Sequence, residues 1–592
     1  MIETLQSRVT TLSRPRVAAP VNRLVRHLKT FRAEWLLGVS LMLVALALNT
    51  HDAATRSLWY DEAFSVELAR QPFHTVWWIS WRIEHNMQLY YLTLYAWLHA
   101  THILGINPTE IIVRLPSIIA ATISTVVLYL IGTRYLGGKT VGVIAALVYA
   151  LNNQQLNAAQ QTRGYAFQML FICLAWYALF TALHASGRAL RLWWLAYVLF
   201  ATMAVYSQLM AGLVLIASGL FCLLMLMIPG PWRERAWRSV VYIILSHIAI
   251  LLLLIPAFYA ARYGTNNGWV PPITTPWALY YWLFLPYAGG NATFMTVVEI
   301  LALVPILAGA VMLVRDLPRR QRRAELSESE LLLAPRALAA FLWFIIPLGI
   351  AYFVTQPSFN LHLFDVRYLV VIIPAIGLLA GMGVSLLRGK IGDVAFVALA
   401  FVLAQAYLPG IAVPAAVIVA AALVLSGRRW WRQALVGAVV LWLAALALPG
   451  YYSTALVQDF RTPAQWIEAR FQPGDAVACA PGNDCALVMD YYFAAYPGPA
   501  HFTWNSPGLL DWSTYTQTYF ASPDYLRQFM ANHHHLFYVY APVVNDQGAY
   551  NSTLQTIHWL DTHYTYMGQI RTTVGSYPRT VWVRMYDAKT AP

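Results

Sequence analysis

Thirteen apolar stretches, most of them about 20 residues long, divide this chain of 592 residues. A helix needs about 20 apolar residues to cross the hydrocarbon core of a bilayer. Charged residues make up 11% of the chain, whereas a soluble protein has about 25%. These observations exclude a soluble, disordered or fibrous protein. We predict an α-helical polytopic membrane protein with spans at 35–50, 112–133, 140–157, 164–184, 192–209, 211–228, 239–261, 295–314, 336–354, 365–387, 391–408, 410–426 and 432–450.

The basic residues lie in alternate connections between these spans. The arm 1–34 and every second connection together hold 25 of the 39 Lys and Arg, and the opposite connections before residue 451 hold seven. The positive-inside rule places the richer side in the cytoplasm. We therefore expect the basic arm inside and, after an odd number of spans, residues 451–592 outside. The net charge of +13 then reflects topology, and we expect no nucleic-acid partner.

The last part of the chain, 451–592, returns to the composition of a soluble protein. We expect it to form a small extracytoplasmic α/β domain after the transmembrane domain 35–450. Its hydrophobic pattern predicts helices at 462–471, 524–532 and 552–562, and strands at 476–479, 536–540 and 580–586.

Two of the four cysteines, Cys479 and Cys485, bracket a short turn in this tail. Such close spacing favours a disulfide loop, which persists in an oxidising compartment. The alternative is a zinc site, but no second Cys pair or nearby His completes one. The three histidines at 533–535 are not expected to bind a metal either, because adjacent residues on a strand point to opposite faces.

Two adjacent carboxylates, Asp61 and Glu62, follow the first span in the aromatic-rich outer loop 51–111. Topology does not require acids beside a membrane surface. One interpretation makes Asp61 a general base, which takes a proton from an attacking hydroxyl. The other makes it a helix N-cap, a position that aspartate favours. Taken alone, the two residues do not separate these interpretations.

Three arginines, Arg114, Arg163 and Arg367, lie at the outer ends of spans, against the positive-inside bias. Arginines near helix ends commonly extend to lipid headgroups. A phosphate site is the alternative, because the planar guanidinium donates paired hydrogen bonds to phosphate. Three arginines at matching depth favour the phosphate site.

Amides and aromatic side chains are dense on the same outer side. The apolar stretch 87–104 of the first loop predicts an interfacial helix, and a run of amides over 152–161 ends the third span. Tyrosine and tryptophan are expected in an interfacial belt, but this belt does not explain the amides. A carboxylate, a cationic site at lipid depth and groups that suit sugars together indicate a lipid-phosphate-linked sugar as ligand.

Five short motifs occur in an order that resembles the GT-C class of membrane glycosyltransferases, in particular the bacterial branch related to protein O-mannosyltransferases and aminoarabinose transferases. They are LWYDEAFS at 58–65, NMQLYY at 86–91, VRLPS at 113–117, QQTRGY at 160–165 and DVRYL at 365–369. The resemblance runs from the first span to about residue 390. It implies the GT-C fold, a polyprenyl-phosphate-linked sugar donor, an inverting transfer and the inner (plasma) membrane of a bacterium.

The resemblance also implies roles for individual residues. Asp61 would be the catalytic base with Glu62 beside it, and Arg163, Arg367 and, less directly, Arg114 would hold the donor phosphate. The acceptor would be a glycan, lipid or protein. Candidates for binding the sugar or the acceptor are Tyr60, His85, Asn86, Gln88, Tyr91, Asn153, Gln161 and Tyr165.

This sequence departs from the motifs of the class at several positions. Gln161 stands where relatives often have Glu, and a neutral amide is a poorer ligand for hard cations. We therefore expect no cofactor, although a divalent metal stays an open alternative. Two other classes of function also stay open: a transporter or flippase of lipid-linked sugars, and a non-catalytic subunit of a cell-envelope assembly.

Overall fold

The computed structural model describes residues 18–262, 275–320, 328–359, 361, 363–387, 390–425, 430–454, 458–480, 482–495, 510–511, 516–517, 523–541, 547–574 and 579–589. Helices dominate up to residue 454. They are α1 Ala18–Thr50, α2 Tyr60–Arg70, α3 Phe73–Arg82, α4 Gln88–Ile103, α5 Glu110–Ile131, α6 Lys139–Ala150, α7 Asn153–Ala159, α8 Tyr165–His184, α9 Gly187–Ser207, α10 Ala211–Met227, α11 Pro231–Arg238, α12 Val240–Ala261, α13 Pro276–Leu279, α14 Leu285–Tyr287, α15 Ala292–Arg320, α16 Glu328–Val354, α17 Ile373–Leu386, α18 Lys390–Tyr407, α19 Ala412–Leu425, α20 Trp430–Leu446 and α21 Leu448–Thr454.

All thirteen predicted spans contain α-helix, and the chain is a multi-pass membrane protein. Within the described ranges, nine helices are long and apolar enough to cross a membrane. A tenth span is possible if α10 and α11, which meet at a bend of 110°, count as one. Three predicted spans correspond to the shorter helices α6, α18 and α19. The apolar run 140–157 is divided because Asn152 caps α7, with its Oδ1 accepting from the backbone N–H groups of Gln154 and Gln155.

Helices α8 and α17 form the centre of the membrane bundle. Most residues of the apolar part of the spans Tyr165–His184 and Leu369–Leu386 are buried, 78% and 89%, compared with 28% for α12. Small residues let α17 approach its neighbours closely, because a Cβ on Gly383 would collide with the carbonyl oxygen of Leu301 in α15. Close packing of this kind replaces the hydrophobic effect as the force that joins helices within lipid.

The first loop folds into three helices, α2, α3 and α4, which pack on one end of the bundle. The helix predicted at 87–104 is present as α4. Helix α2 begins after Trp59, whose backbone is extended and whose side chain makes no cap. Its first turn contains Asp61 and Glu62, and negative charge is favoured there by the helix dipole. The start of α2 thus places both acids at this end of the bundle.

The tail contains helices and a small sheet, and every helix and strand predicted there is present. Its helices are α22 Arg461–Glu468, α23 Gly482–Ala495, α24 Pro523–Met530 and α25 Gln547–His563, and its strands are β1 Ala476–Ala480, β2 Leu510–Asp511, β3 Thr516–Gln517, β4 His535–Tyr540, β5 Thr565–Val574 and β6 Arg579–Asp587. The main sheet has the order β1-β4-β6-β5, with β1 parallel to β4 and the other pairs antiparallel. Helix α23 and strands β2, β3 and β5 are additions to the sequence prediction.

A disulfide joins Cys479 in β1 to Cys485 in α23. The three histidines at 533–535 diverge. The ring of His533 lies against Phe529, whereas His535 Nδ1 lies 2.7 Å from the Oδ1 atom of Asp475. Over the described ranges, no group of three or more His, Cys, Asp or Glu is placed to hold a metal ion.

Candidate active site

Asp61 lies between two arginines at the start of α2. Its Oδ2 atom is 3.6 Å from Nη1 of Arg367 and 3.9 Å from Nη2 of Arg163. The side chain of Asp61 is 25% exposed, so a solute can reach it. Both separations exceed the 2.7–2.9 Å typical of a charge-assisted hydrogen bond. The carboxylate is therefore surrounded by positive charge without being locked into a tight ion pair.

Glu62 points away from this cluster and is buried against Arg114. The Arg114 guanidinium donates through Nε and Nη2 to the two carboxylate oxygens of Glu62, at 2.9 and 2.7 Å. Its remaining N–H groups donate to the carbonyl oxygens of Ala53, Arg56 and Ser57. All five donors of Arg114 thus have acceptors within the protein, and its side chain is 2% exposed. This geometry makes Arg114 a structural residue and gives it no donor for a phosphate.

Glu62 also fixes the segment that carries Arg163. Its Oε1 atom accepts a hydrogen bond of 2.9 Å from the backbone N–H of Thr162. The next residue but one, Gly164, fits tightly, because a Cβ there would collide with the carbonyl oxygen of Ser207. The Glu62 carboxylate is therefore a structural link between α2, α5 and the turn before α8, rather than a group open to substrate.

Arg163 is buried, and it faces the cluster from that turn. Its Nη1 atom donates to the hydroxyl of Tyr91 at 3.2 Å. Its Nε atom is buried and has no hydrogen-bond acceptor among the described residues. Buried polar atoms are seldom left without a partner in native proteins, so this donor is suited to an anionic ligand.

Arg367 reaches the cluster from the segment before α17. Asp365 holds it, because Oδ1 of Asp365 accepts from both the backbone N–H and the Nε of Arg367, at 2.8 and 3.2 Å. The guanidinium also lies 5.6 Å from the ring centroid of Trp59. Residues far apart in the sequence thus bring two guanidinium groups to one carboxylate.

Sequence reasoning did not identify Glu84, a further acid in the neighbourhood. Its carboxyl group lies within electrostatic range of both Arg163 and Asp61. Burial raises the pKa of Glu84 above its ordinary value, although Arg163 opposes the shift. No motif surrounds Glu84, and the only available signal was its position two residues before the segment 86–91.

The predicted sugar-binding and acceptor-binding residues divide into two groups. Tyr91 and Tyr165 adjoin the cluster. Tyr91 accepts a hydrogen bond from Arg163. Tyr165 is buried and lies within electrostatic range of Asp61, Arg163 and Arg367. Asn153 packs against Gly289. Tyr60, the first residue of α2, is half-buried.

Several of the predicted sugar-binding and acceptor-binding residues carry buried polar atoms without a partner among the described residues. In the described part of the chain these include His85 Nδ1, Asn86 Oδ1, Gln88 Oε1, Asn153 Oδ1 and Gln161 Oε1. Burial lowers the pKa of His85, which favours the neutral ring. The sulfur of Met87 accepts from the Gly164 N–H at 3.4 Å, so the segment 85–88 borders the turn that carries Arg163.

Comparisons with known proteins address the fold. Residues 93–259 match the sequence model of a family described as dolichyl-phosphate-mannose-protein mannosyltransferase. The chain is similar to the structure of ArnT from Cupriavidus metallidurans in the apo state, with 17% identity and a TM-score of 0.52 over 93% of this chain and 98% of that one. The structure of the same protein bound to undecaprenyl phosphate gives 17% identity and a TM-score of 0.49 over the same shares.

The oligosaccharyltransferase of Archaeoglobus fulgidus, tethered with an acceptor peptide, aligns with 11% identity and a TM-score of 0.50 over 90% of this chain and 73% of that one. A comparison with curated proteins finds no significant match. The chain has the GT-C fold, the helical architecture of a class of membrane glycosyltransferases. The fold class and the resemblance predicted from the five motifs are therefore confirmed.

Proposed function

We propose that this chain is a membrane glycosyltransferase, which moves a sugar from a polyprenyl-phosphate donor to an acceptor hydroxyl. The pairing of the partly exposed Asp61 carboxylate with Arg163 and Arg367 carries the proposal. A base and a cationic phosphate site are the two groups that such a transfer needs. The description of the matching family names a dolichyl-phosphate sugar, which is a donor of this class.

In the proposed reaction, Asp61 accepts the proton of the acceptor hydroxyl while the hydroxyl oxygen attacks the anomeric carbon. The bond between this carbon and the phosphate oxygen breaks, and its electron pair leaves with the polyprenyl phosphate. Arg163 and Arg367 stabilise the negative charge that develops on the phosphate. The Nε atom of Arg163, buried without a partner among the described residues, is a donor for that phosphate. A single displacement inverts the anomeric centre.

The sugar and the acceptor would lie beside this cluster, along the first loop. Buried polar atoms of His85, Asn86, Gln88 and Gln161 that have no partner among the described residues support this placement. Sugar hydroxyls donate and accept hydrogen bonds, and both amides and a neutral imidazole can supply the complementary atoms. Arg114 and Glu62 are assigned a structural role in the proposal.

The proposed orientation follows from the distribution of charge. The basic arm 1–34 lies in the cytoplasm of a bacterial cell, and the active-site end of the bundle and the tail 451–592 lie outside the inner membrane. The excess of Lys and Arg in alternate connections supports this orientation. The lipid tail of the donor would enter from the bilayer and its phosphate would meet the arginines at the interface.

The test uses purified protein in detergent with a panel of polyprenyl-phosphate sugars, and mass spectrometry to detect free polyprenyl phosphate. Loss of a positioned base costs about 10²–10⁴-fold in rate, so Asp61→Asn should lose that much activity. Asp52→Asn is the matched control, because Asp52 is a partly exposed acid in the same loop, with 40% of its side chain accessible, and it should retain full activity. Equal activity in Asp61→Asn and wild type would refute the base. Lack of release from every donor, with each acceptor class added, would favour the transporter and assembly alternatives.

A further inference from the structure

The tail contacts the helix that carries Asp61. Three consecutive residues of α23, Asp490, Tyr491 and Tyr492, reach the first loop. The hydroxyl of Tyr491 donates to the carbonyl oxygen of Pro108 at 2.9 Å. The other two contact the two ends of α2, which is 11 residues long and thus about 16 Å from end to end.

Tyr492 holds the backbone that leads into α2. Its buried hydroxyl accepts a hydrogen bond of 2.8 Å from the Leu58 N–H and lies 3.0 Å from Ser57 Oγ. The same Ser57 Oγ accepts from the backbone N–H of Phe460, which precedes α22. Because Trp59 provides no side-chain cap, these contacts from the tail fix the direction in which α2 starts, three residues before Asp61.

A pair of carboxyl groups joins the far end of α2 to the tail. The carboxyl groups of Glu67 in α2 and Asp490 in α23 lie close enough to interact, and Glu67 is 4% exposed. The charged groups that face Glu67 are Asp490 and Arg70. The Nη1 atom of Arg70 lies 2.5 Å from Oε1 of Glu67. A hydrogen bond between two carboxyl groups needs one proton, so a bond between these two acids would require one of them to be protonated.

We propose that α23 positions Asp61 for proton transfer, with Tyr492 holding the start of α2 and the Glu67–Asp490 pair holding its far end while the two acids share one proton. Tyr492, Glu67 and Asp490 are positioning residues, because they would act on Asp61 through the helix that carries it. The effect on rate rests on the proposed function, whereas the effect on the order of α2 does not.

The protonation of Glu67 makes this contact sensitive to pH. Burial is the main cause that raises the pKa of Glu67 to about 8, Asp490 adds to the shift and Arg70 opposes it. With the tail displaced, the carboxyl group would return toward its ordinary pKa of about 4.5. The docked state therefore holds a proton that the displaced state releases, and docking weakens as the pH rises from about 4.5 to 8.

The first test is Tyr492→Phe, which keeps the ring and removes the hydroxyl. We expect kcat to fall about 10- to 100-fold, as small misplacements of catalytic groups do, with the KM for the donor changed less than about twofold. Tyr566→Phe is the matched control, because Tyr566 is a partly exposed tyrosine elsewhere in the tail. An unchanged kcat in Tyr492→Phe, or a fall in kcat that Tyr566→Phe reproduces, would overturn the role of Tyr492.

The second test is the pH profile of Glu67→Gln, whose amide donates to Asp490 at every pH. Wild type should lose activity as the pH rises from 7 to 9, and Glu67→Gln should retain more than half of its pH 7 rate. Asp524→Asn removes an exposed acid from the tail and should follow wild type. A parallel decline in Glu67→Gln and wild type would overturn the role of the carboxyl pair.

The third test measures backbone hydrogen exchange at one pH and does not need activity. The amides of 57–70 should exchange faster in Tyr492→Phe than in wild type. Equal exchange would overturn the positioning role. Faster exchange together with no transfer by the wild-type protein would instead reject the proposed function and leave the contact between tail and α2 intact. Faster exchange with an unchanged rate would separate the contact from catalysis and overturn the proposal.

Discussion

Asp61 and Glu62 are neighbours in the chain, yet their carboxylates lie in different surroundings. Adjacent residues of an α-helix point about 100° apart, since 3.6 residues make a turn. Asp61 therefore faces Arg163 and Arg367, and Glu62 faces the buried Arg114. The Asp61 carboxylate is accessible to solutes, whereas the Glu62 carboxylate is buried and holds α2 in place.

The two kinds of arginine should respond differently to loss of charge. Arg114→Gln leaves Glu62 buried without its counter-ion, which should lower the free energy of unfolding by about 3–5 kcal/mol. Arg367→Gln changes a partly exposed contact and should alter the free energy of unfolding by less than about 1 kcal/mol. Transfer by Arg367→Gln should nevertheless fall about 10²–10³-fold, because a donor that stabilises the leaving phosphate is gone.

Thermal unfolding in detergent and initial rates of polyprenyl phosphate release would measure both effects. A stable Arg114→Gln protein with impaired transfer would contradict the structural role and return Arg114 to the phosphate site.

The sequence motifs identified Asp61, Arg163 and Arg367 because each motif places a charged residue at the end of a span. The motifs also selected Arg114 and Glu62 for the site, whereas these two residues pair with each other in the protein interior. A one-dimensional pattern gives the depth of a residue but not the face of the helix on which it lies. Glu84 was missed because it stands alone in the sequence and comes near Asp61 and Arg163 only when the connection between α3 and α4 folds against the turn before α8.

Among the elements, the turn between α7 and α8 is the most tightly fitted part of the site. Gly164→Ala should displace Arg163, because the added Cβ meets the carbonyl oxygen of Ser207. Overpacking of this kind costs about 1–3 kcal/mol, and a displacement of about 1 Å can lower a rate about 10²-fold.

Gly212→Ala is the control, because nothing lies within 4 Å of a Cβ at that position in α10. The control should keep the activity and the unfolding temperature of wild type. Equal rates for Gly164→Ala and Gly212→Ala would show that the turn tolerates the extra methyl group and does not set the position of Arg163.

The apolar pattern located a helix in each of the thirteen predicted spans, and over the described ranges nine of these helices are long and apolar enough to cross a membrane. Apolar composition does not reveal that Asn152 ends one helix and caps the next, so one apolar run was counted as a span. Strand β5 was missed for a different reason. It lies at the edge of the sheet and pairs only with β6, and a register shift between Tyr566 and Gly568 breaks the alternation of its side chains.

At the scale of the whole molecule, the tail and the membrane part form one connected structure. Arg461 in α22 donates from Nε to Glu110 at the start of α5, at 2.7 Å. The contacts of α23 with α2 add to this link. The tail and the active-site end of the bundle therefore lie on the same side of the membrane, whichever side that is.

Thiol labelling in whole cells would determine the side. The cysteine of Asp524→Cys, at an exposed position in the tail, should react with a membrane-impermeant maleimide in cells whose outer membrane is permeabilised and whose inner membrane is intact. A cysteine at 186, an exposed position between α8 and α9, should react only after the inner membrane is permeabilised. The native Cys173 and Cys222 are buried and give a low background. The reverse pattern of labelling would overturn the orientation.

The contacts between α23 and α2 also limit how this protein can be recombined with relatives. A chimera that exchanges the tail alone would remove Tyr492 and Asp490 and leave Leu58, Ser57 and Glu67 without their partners. A chimera that exchanges the tail together with the segment 51–111 would keep these partners matched. The two pieces are separated by more than 300 residues in the sequence, and they therefore need to be exchanged together as one structural unit.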